Sequence, residues 1–260
     1  MEISQYIWPV AAFAAGVAAW FCAVLLVLTQ ALHGHFSVGP AANLQNAHKE
    51  PTPRIGGVAI FFSVVLGVLL SGGESRRLLL GIVLAGTPAF AFGLLEDCTH
   101  RVSASARLFA TLGSGVLGWF VTGLAISDIN LPGIDALLAW TPLAVLFTAF
   151  CVGGVANAFN IIDGLNGLAG GTALILLSAM GLLSLHLGDA QLAHVCLILA
   201  GATLGFLLVN WPFGKLFLGD GGAYFVGFAV AWVAVMLLYR HPEVSAWCSL
   251  RPYSRVISAT

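Results

Sequence analysis

Apolar runs recur along the whole chain, separated by short polar breaks. Many approach the roughly 20 residues that an α-helix needs to cross a bilayer. They predict helices over 7–28, 57–72, 78–95, 107–126, 136–156, 167–187, 191–210 and 222–239. The breaks carry turn or helix-stopping chemistry, as in Ser71-Gly72-Gly73-Glu74, Leu131-Pro132-Gly133, Leu187-Gly188-Asp189 and Asn210-Trp211-Pro212. The short alternating segments of a membrane β-barrel are absent from the pattern. The expectation is an all-α polytopic membrane protein with about eight transmembrane helices in one bundle. The bundle occupies residues 1–239, and 240–260 form a tail with too few apolar residues to span.

Composition narrows the class. The chain is 59% hydrophobic and only 8% charged, with a net charge of -1, whereas a soluble domain carries roughly 25% charged residues. No basic stripe exists, which argues against nucleic acid as a partner. The cysteines Cys22, Cys98, Cys151, Cys196 and Cys248 lie far apart without metal-ligand spacing, so neither a disulfide framework nor a zinc site is implied. The N-terminus lacks a basic n-region, and its apolar run reads as a retained first span.

Polar residues are distributed unequally between the connections. The loops after the first, third, fifth and seventh spans hold His48 to Arg54, Glu96-Asp97 through Arg107, Asn157 to Asn166, and Lys215 to Asp220. The other connections carry mainly Glu74 to Arg77, Asp128, Asp135 and Asp189. Alternate loops emerge on one face, so four polar segments are expected to converge there. Charge does not orient that face. Lys49, Arg54, Arg101, Arg107 and Lys215 on one side balance Arg76, Arg77, Arg240, Arg251 and Arg255 on the other.

Polar groups at a membrane boundary are costly and tend to mark sites. Glu96, Asp97, Asp163 and Asp220 supply oxygens of the kind that hard divalent cations take together with phosphate and water. The competing reading is that each acid caps a helix or lies in solvated loop. Lys49 and Arg54, beside Thr52 and stiffened by Pro51 and Pro53, can anchor pyrophosphate. They can equally meet anionic lipid headgroups. Asn157, Asn160 and Asn166 offer amides for a nucleoside or sugar, or for capping the helix that starts at Gly167.

Together these segments resemble the polyprenyl-phosphate N-acetylhexosamine-1-phosphate transferase family. Four motifs carry the resemblance in order: His48 to Gly57 as PTPRxGG, Gly93-Leu94-Leu95-Glu96-Asp97 as the acidic pair, Asn157 to Ala169 as NxxNxxDGxNGLA, and Phe217 to Gly221 as FxGDxG. It covers about 8–239. The resemblance implies a bacterial inner-membrane enzyme, multi-pass, with its active face cytoplasmic. Its substrates would be a UDP-N-acetylhexosamine and polyprenyl phosphate, its cofactor Mg²⁺ or Mn²⁺, and its surroundings membrane lipid; a homodimer is allowed.

By the same resemblance Asp220 is the metal ligand and Asp97 deprotonates or orients the lipid phosphate, with Glu96 in support. Asp163 and Asn166 contact nucleotide or diphosphate, Lys49 and Arg54 stabilise phosphate charge, and Phe159 or Phe217 stacks on uracil or anchors at the interface. Asn166 stands where peptidoglycan translocases have Asp, which favours the branch that starts surface polysaccharide. The family pattern continues through further spans and a histidine loop. The chain therefore reads as shortened at its C-terminal end, and His33-Gly34-His35 does not substitute by alignment. Two alternatives remain: a non-catalytic remnant that binds nucleotide sugar or a partner, and an ion or solute transporter using Asp97, Asp163 and Asp220.

Overall fold

The computed structural model describes residues 4–37, 52–129, 131 and 133–244. The helices are α1 (Ser4–Leu28), α2 (Gln30–Ser37), α3 (Gly56–Leu70), α4 (Gly73–Thr99), α5 (Ala104–Thr122), α6 (Ile134–Leu138), α7 (Thr141–Ile162), α8 (Leu168–His186), α9 (Ala190–Asn210) and α10 (Gly219–Arg240). Among the described residues, 7 helices are long and apolar enough to cross a membrane. The remaining predicted span, α3, is apolar but has 15 residues. The protein is an all-α polytopic membrane protein.

Helix ends differ from the sequence reading at functionally placed residues. α4 runs through Glu96 and Asp97 to Thr99, so the acidic pair lies on a helix rather than opening a loop. It stops where His100 takes a left-handed conformation (φ 52°) and donates its N–H to the Glu96 carbonyl. α7 continues past Asn157 and Asn160, placing both amides on its final turns. α10 begins at Gly219, so Asp220 belongs to its first turn, where a carboxylate suits the positive end of the helix dipole. The short helices α2 and α6 follow local breaks that the apolar pattern did not resolve.

α10 is the axis of the bundle, packed by α3, α4, α7 and α8. Nearly its whole length is buried, as expected for a helix that is hydrophobic all round. Phe61 of α3 stacks on Phe90 of α4 with centroids 4.2 Å apart, and Phe225 of α10 meets Phe61 edge-on at 5.0 Å. Phe228 and Trp232 stack one turn apart on α10, and the Trp232 ring lies on Gly118.

Lipid tails are as apolar as leucine, so burying apolar area does little to join helices in a bilayer; close backbone approach and dispersion do more. α1 and α9 use that device. Ala12 and Gly16 face Gly201 and Gly205, small residues four apart on both helices. A Cβ on Gly201 would stand 2.6 Å from the Ala12 carbonyl oxygen, and one on Gly205 would collide with the Gly16 carbonyl. Large side chains such as Phe13, Phe62, Phe120, Phe150 and Ile175 point outward instead.

The end of the bundle away from the convergent loops is tied by charge. Asp189 caps α9 by accepting the Leu192 N–H at 3.0 Å. It also accepts from Arg240 Nε at 2.5 Å and lies 3.2 Å from His241 Nε2. Arg240 continues to Glu74 at 2.5 Å, so one guanidinium joins the ends of α4, α9 and α10. Burial pushes the Asp189 carboxyl up, but Arg240, the Leu192 N–H and His241 outweigh it and hold it below the usual aspartate range.

A carboxyl held low in the folded state contributes stability above its unfolded pKa and loses it as pH falls. Asp189→Asn retains a capping oxygen and removes the charge. It is expected to lower the thermal unfolding midpoint in detergent at pH 7, with the gap closing below about pH 4. Equal midpoints at pH 7 would show that the ion pair contributes nothing. Gly205→Val, which forces α1 off α9, is expected to destabilise by about 1–3 kcal/mol, read as a lower midpoint and reduced monodisperse yield.

Candidate active site

The first N–H groups of a helix have no partner inside it. At the start of α10, two aspartates from other helices meet three of them. Asp97, near the end of α4, accepts the Asp220 N–H at 2.8 Å on one carboxylate oxygen and the Gly221 N–H at 2.9 Å on the other. Asp163, which ends α7, accepts the Gly219 N–H. Bonds of this kind are stronger when the accepting carboxyl is ionised. They lock α10 to α4 and α7 at one end.

The segment before α3 completes the seat. Phe217 N–H donates to the Pro53 carbonyl at 2.9 Å, while Gly56 and Gly57 donate to the carbonyls of Phe217 at 2.9 Å and Leu218 at 2.8 Å. The PTPRxGG and FxGDxG segments are thus bonded backbone to backbone. Glycine is required where they cross: Gly219 has φ 75°, and a Cβ there would collide with the Arg54 carbonyl. A Cβ on Gly93 of α4 would lie 2.5 Å from the Gly221 nitrogen.

The Asp220 carboxylate faces away from this seat, toward cations and an amide. Arg107, in the first turn of α5, is ion-paired with Oδ2. Asn160 Nδ2 donates to Oδ1 at 3.0 Å, and Arg54 approaches Oδ1 at 3.6 Å. Tyr224, one turn along α10, has its hydroxyl 3.3 Å from Asn160 Oδ1, which orients the amide with its NH₂ toward Asp220. Asp163 is pushed up to about 7 by burial, against the opposing effects of Arg54 and the Gly219 N–H. Three carboxylates and two guanidiniums from distant segments therefore meet at one helix end.

The other residues singled out from sequence fall into distinct places. Glu96 turns aside from Asp220 and accepts the Val102 N–H at 2.7 Å, bracing the α4–α5 turn. Asn157 commits both amide hydrogens, to Thr111 Oγ1 at 2.9 Å and the Gly153 carbonyl at 2.8 Å, in the α5–α7 contact. Asn166 packs against Gly214. Asn210 accepts the Gly167 N–H at 2.7 Å and donates to the Leu216 carbonyl at 2.8 Å, joining the two loops.

Phe217 is half-buried and enters through its backbone, and Thr52 is half-buried at the start of the same ladder. Phe159 is 4% exposed and packs on Gly227, so it neither stacks on a ligand nor anchors at an interface. Lys49 lies outside the described residues. His33 and His35 lie on α2, with His33 2.7 Å from Ser37 Oγ and 2.8 Å from the Leu26 carbonyl. Arg107, Tyr224 and Asn210 were not singled out as site residues. Arg107 was visible only as one cation in a loop, and Tyr224 and Asn210 only as polar residues at the ends of apolar runs.

Among the described residues, no three His, Cys, Asp or Glu side chains form a group that encloses a metal ion. The donor set suits a different arrangement. Each Asp220 oxygen retains acceptor capacity beyond the contacts above. A hard divalent cation that takes one or two carboxylates and completes its shell with phosphate and water fits those donors.

Residues 79–238 match the family model described as glycosyl transferase family 4. The chain is 32% identical over 196 residues to a probable undecaprenyl-phosphate N-acetylglucosaminyl 1-phosphate transferase of Bacillus subtilis, covering 75% of this chain and 54% of the relative. It is 31% identical over 208 residues to a phospho-N-acetylmuramoyl-pentapeptide-transferase of Clostridium perfringens, covering 76% and 64%. It is 31% identical over 238 residues to a decaprenyl-phosphate N-acetylglucosaminephosphotransferase of Mycobacterium tuberculosis, covering 80% and 58%. The matches thus span between 54% and 64% of these relatives' lengths. With the family match covering α5 to α9 and most of α4 and α10, and with Asp97, Asn160, Asp163 and Asp220 gathered inside it, the chain belongs to glycosyl transferase family 4.

Proposed function

We propose that this protein transfers N-acetylhexosamine-1-phosphate from a UDP-sugar to polyprenyl phosphate at the cytoplasmic face of a bacterial inner membrane. A phosphate oxygen of the lipid attacks the sugar-bearing phosphorus. The bridging P–O bond to the nucleotide breaks, UMP leaves with the electron pair, and the lipid retains a pyrophosphoryl sugar. The observation that carries this reading is the meeting of Arg54, Asp97, Asp163 and Asp220 at one helix end, in a chain of this family. Relatives whose names include polyprenyl-phosphate N-acetylglucosamine phosphotransferases support the substrate class.

Phosphoryl transfer depends mainly on positioning and charge stabilisation, and the residues can be assigned on that basis. Arg54 and Arg107, both directed at Asp220, are assigned to stabilising the charge of the transferred phosphates, together with Lys49 and Thr52, which precede Arg54 in the chain. A phosphate monoester has a second pKa near 6, so the acceptor is largely ionised at neutral pH without a strong base. Both Asp97 oxygens hold α10 amides, which favours an orienting role over proton abstraction. Asp163, at about 7, is placed to take a residual proton in the working range.

Asp220 would hold a divalent cation, whose chemistry when bound is neutralisation and polarisation of the pyrophosphate. Asn160 fixes the Asp220 carboxylate, and Asn157, Asn166 and Phe217 are assigned to the nucleotide sugar. Asn166 supports the branch that initiates surface polysaccharide. The acids lie at helix ends on one face, whereas transporters place binding groups on broken helices near the bilayer midplane; this disfavours a solute path.

Purified protein given polyprenyl phosphate, UDP-N-acetylglucosamine and Mg²⁺ is expected to release UMP and form lipid product. Asp220→Asn and Arg54→Ala should each lower the rate by about 10²-fold or more, as expected when charge stabilisation is removed. Binding of UDP-sugar without UMP release would instead assign a nucleotide-sugar-binding role. A second prediction concerns Asp163. Its raised carboxyl contributes stability fully below the usual aspartate pKa, and that stability is lost as pH rises through about 7. Asp163→Asn still accepts the Gly219 N–H but never ionises. It should be nearly inactive yet unfold at a higher temperature than the native chain at pH 8, the difference shrinking as pH falls below about 7 and vanishing near pH 4.

A further inference from the structure

We propose that Arg107 is a resident counter-cation for Asp220, which an arriving divalent metal must displace, so that this arginine sets the metal affinity of the site. The inference rests on the reading above that Asp220 contributes to a divalent-cation site.

The Arg107–Asp220 pair lacks the features of a settled structural ion pair. Buried pairs offset the cost of leaving water only when the remaining donors and lone pairs are also satisfied. Here the Arg107 side chain is 18% exposed and the Asp220 side chain 10%. Arg107 Nε is buried with no hydrogen-bond partner. The guanidinium is directed at Asp220 Oδ2 while part of its own bonding capacity goes unused. Nor does the position serve α5. A cation in the first turn of a helix faces the positive end of the dipole, where it is disfavoured.

The two oxygens of Asp220 are treated differently. Oδ1 is fixed by the neutral Asn160 amide at 3.0 Å, which Tyr224 orients, with Arg54 further off at 3.6 Å. Oδ2 faces Arg107. The amide holds the carboxylate in place, while the guanidinium occupies the position that a second cation would contest. Arg107 therefore neutralises Asp220 before the metal arrives. Once displaced, its charge is available to phosphate oxygens beside Asp220, consistent with the preference of arginine for phosphate. No covalent bond within the protein is made or broken in this exchange: the Arg107–Asp220 ion pair is given up and a metal–carboxylate bond takes its place.

Mn²⁺ binding to the full chain in detergent, followed by the electron paramagnetic resonance signal of the free ion, tests this without turnover. Native protein should bind Mn²⁺, and Asp220→Asn should lose that binding. Arg107→Gln should bind about tenfold more tightly than native, the order expected when a competing charge-assisted contact is removed. Arg107→Lys keeps the charge but loses the planar fork, and should bind more tightly than native by a smaller factor. It also provides the comparison if Arg107→Gln does not fold. If Asp220→Asn abolishes binding while the Arg107 variants bind as native or more weakly, the counter-cation role is overturned and the Asp220 reading stands. If native protein and Asp220→Asn both fail to bind Mn²⁺, the metal reading falls and the counter-cation role falls with it.

Discussion

The amides that open α10 have no partners within their own helix, and most of the molecule's organisation follows from how they are satisfied. Asp97 and Asp163 supply the acceptors from α4 and α7. An unmet buried amide would be expensive, so the two aspartates act as structural clasps. By gripping the backbone of α10 they set the direction in which the next carboxylate, Asp220, can point. The acids thus divide the work, two of them positioning the third.

That division explains what the primary structure revealed and what it concealed. The bundle was legible because runs such as 191–210 and 222–239 are too apolar and too long for other placements. The convergence of four polar segments was legible from their alternation alone. Less visible was which acids would turn inward. Glu96 and Asp97 are neighbours, but successive residues on a helix point about 100° apart. One meets the amides of α10 and the other braces a turn. Asn157 and Asn160 likewise sit on one helix, and only Asn160 reaches Asp220.

Arg107 and Tyr224 were hidden for another reason. Neither lies in a short motif, and each gains its role from a residue more than 60 positions away in sequence. The packing between α1 and α9 was hidden as well: Gly201 and Gly205 lie four apart inside an apolar run, and their partner on α1 becomes evident only in three dimensions. Helix pairing within lipid is specified by the shapes of surfaces more than by their polarity. A scan for apolar runs is therefore sensitive to where helices lie and nearly blind to which of them touch.

The shortness of α3 has a consequence for the bilayer itself. At 15 residues and 1.5 Å per residue, the helix rises about 22 Å, some 8 Å less than the hydrocarbon thickness. Irregular chain is tolerated at that depth only where protein satisfies its hydrogen bonds. At the Ser71 end the chain turns with local bonds back to Gly67 alone. At the other end, Arg54, Gly56 and Gly57 donate to Ser37, Phe217 and Leu218. The backbone ladder beside Arg54 thus answers hydrophobic mismatch: it satisfies the hydrogen bonds of the polar chain that must make up the length the short helix lacks.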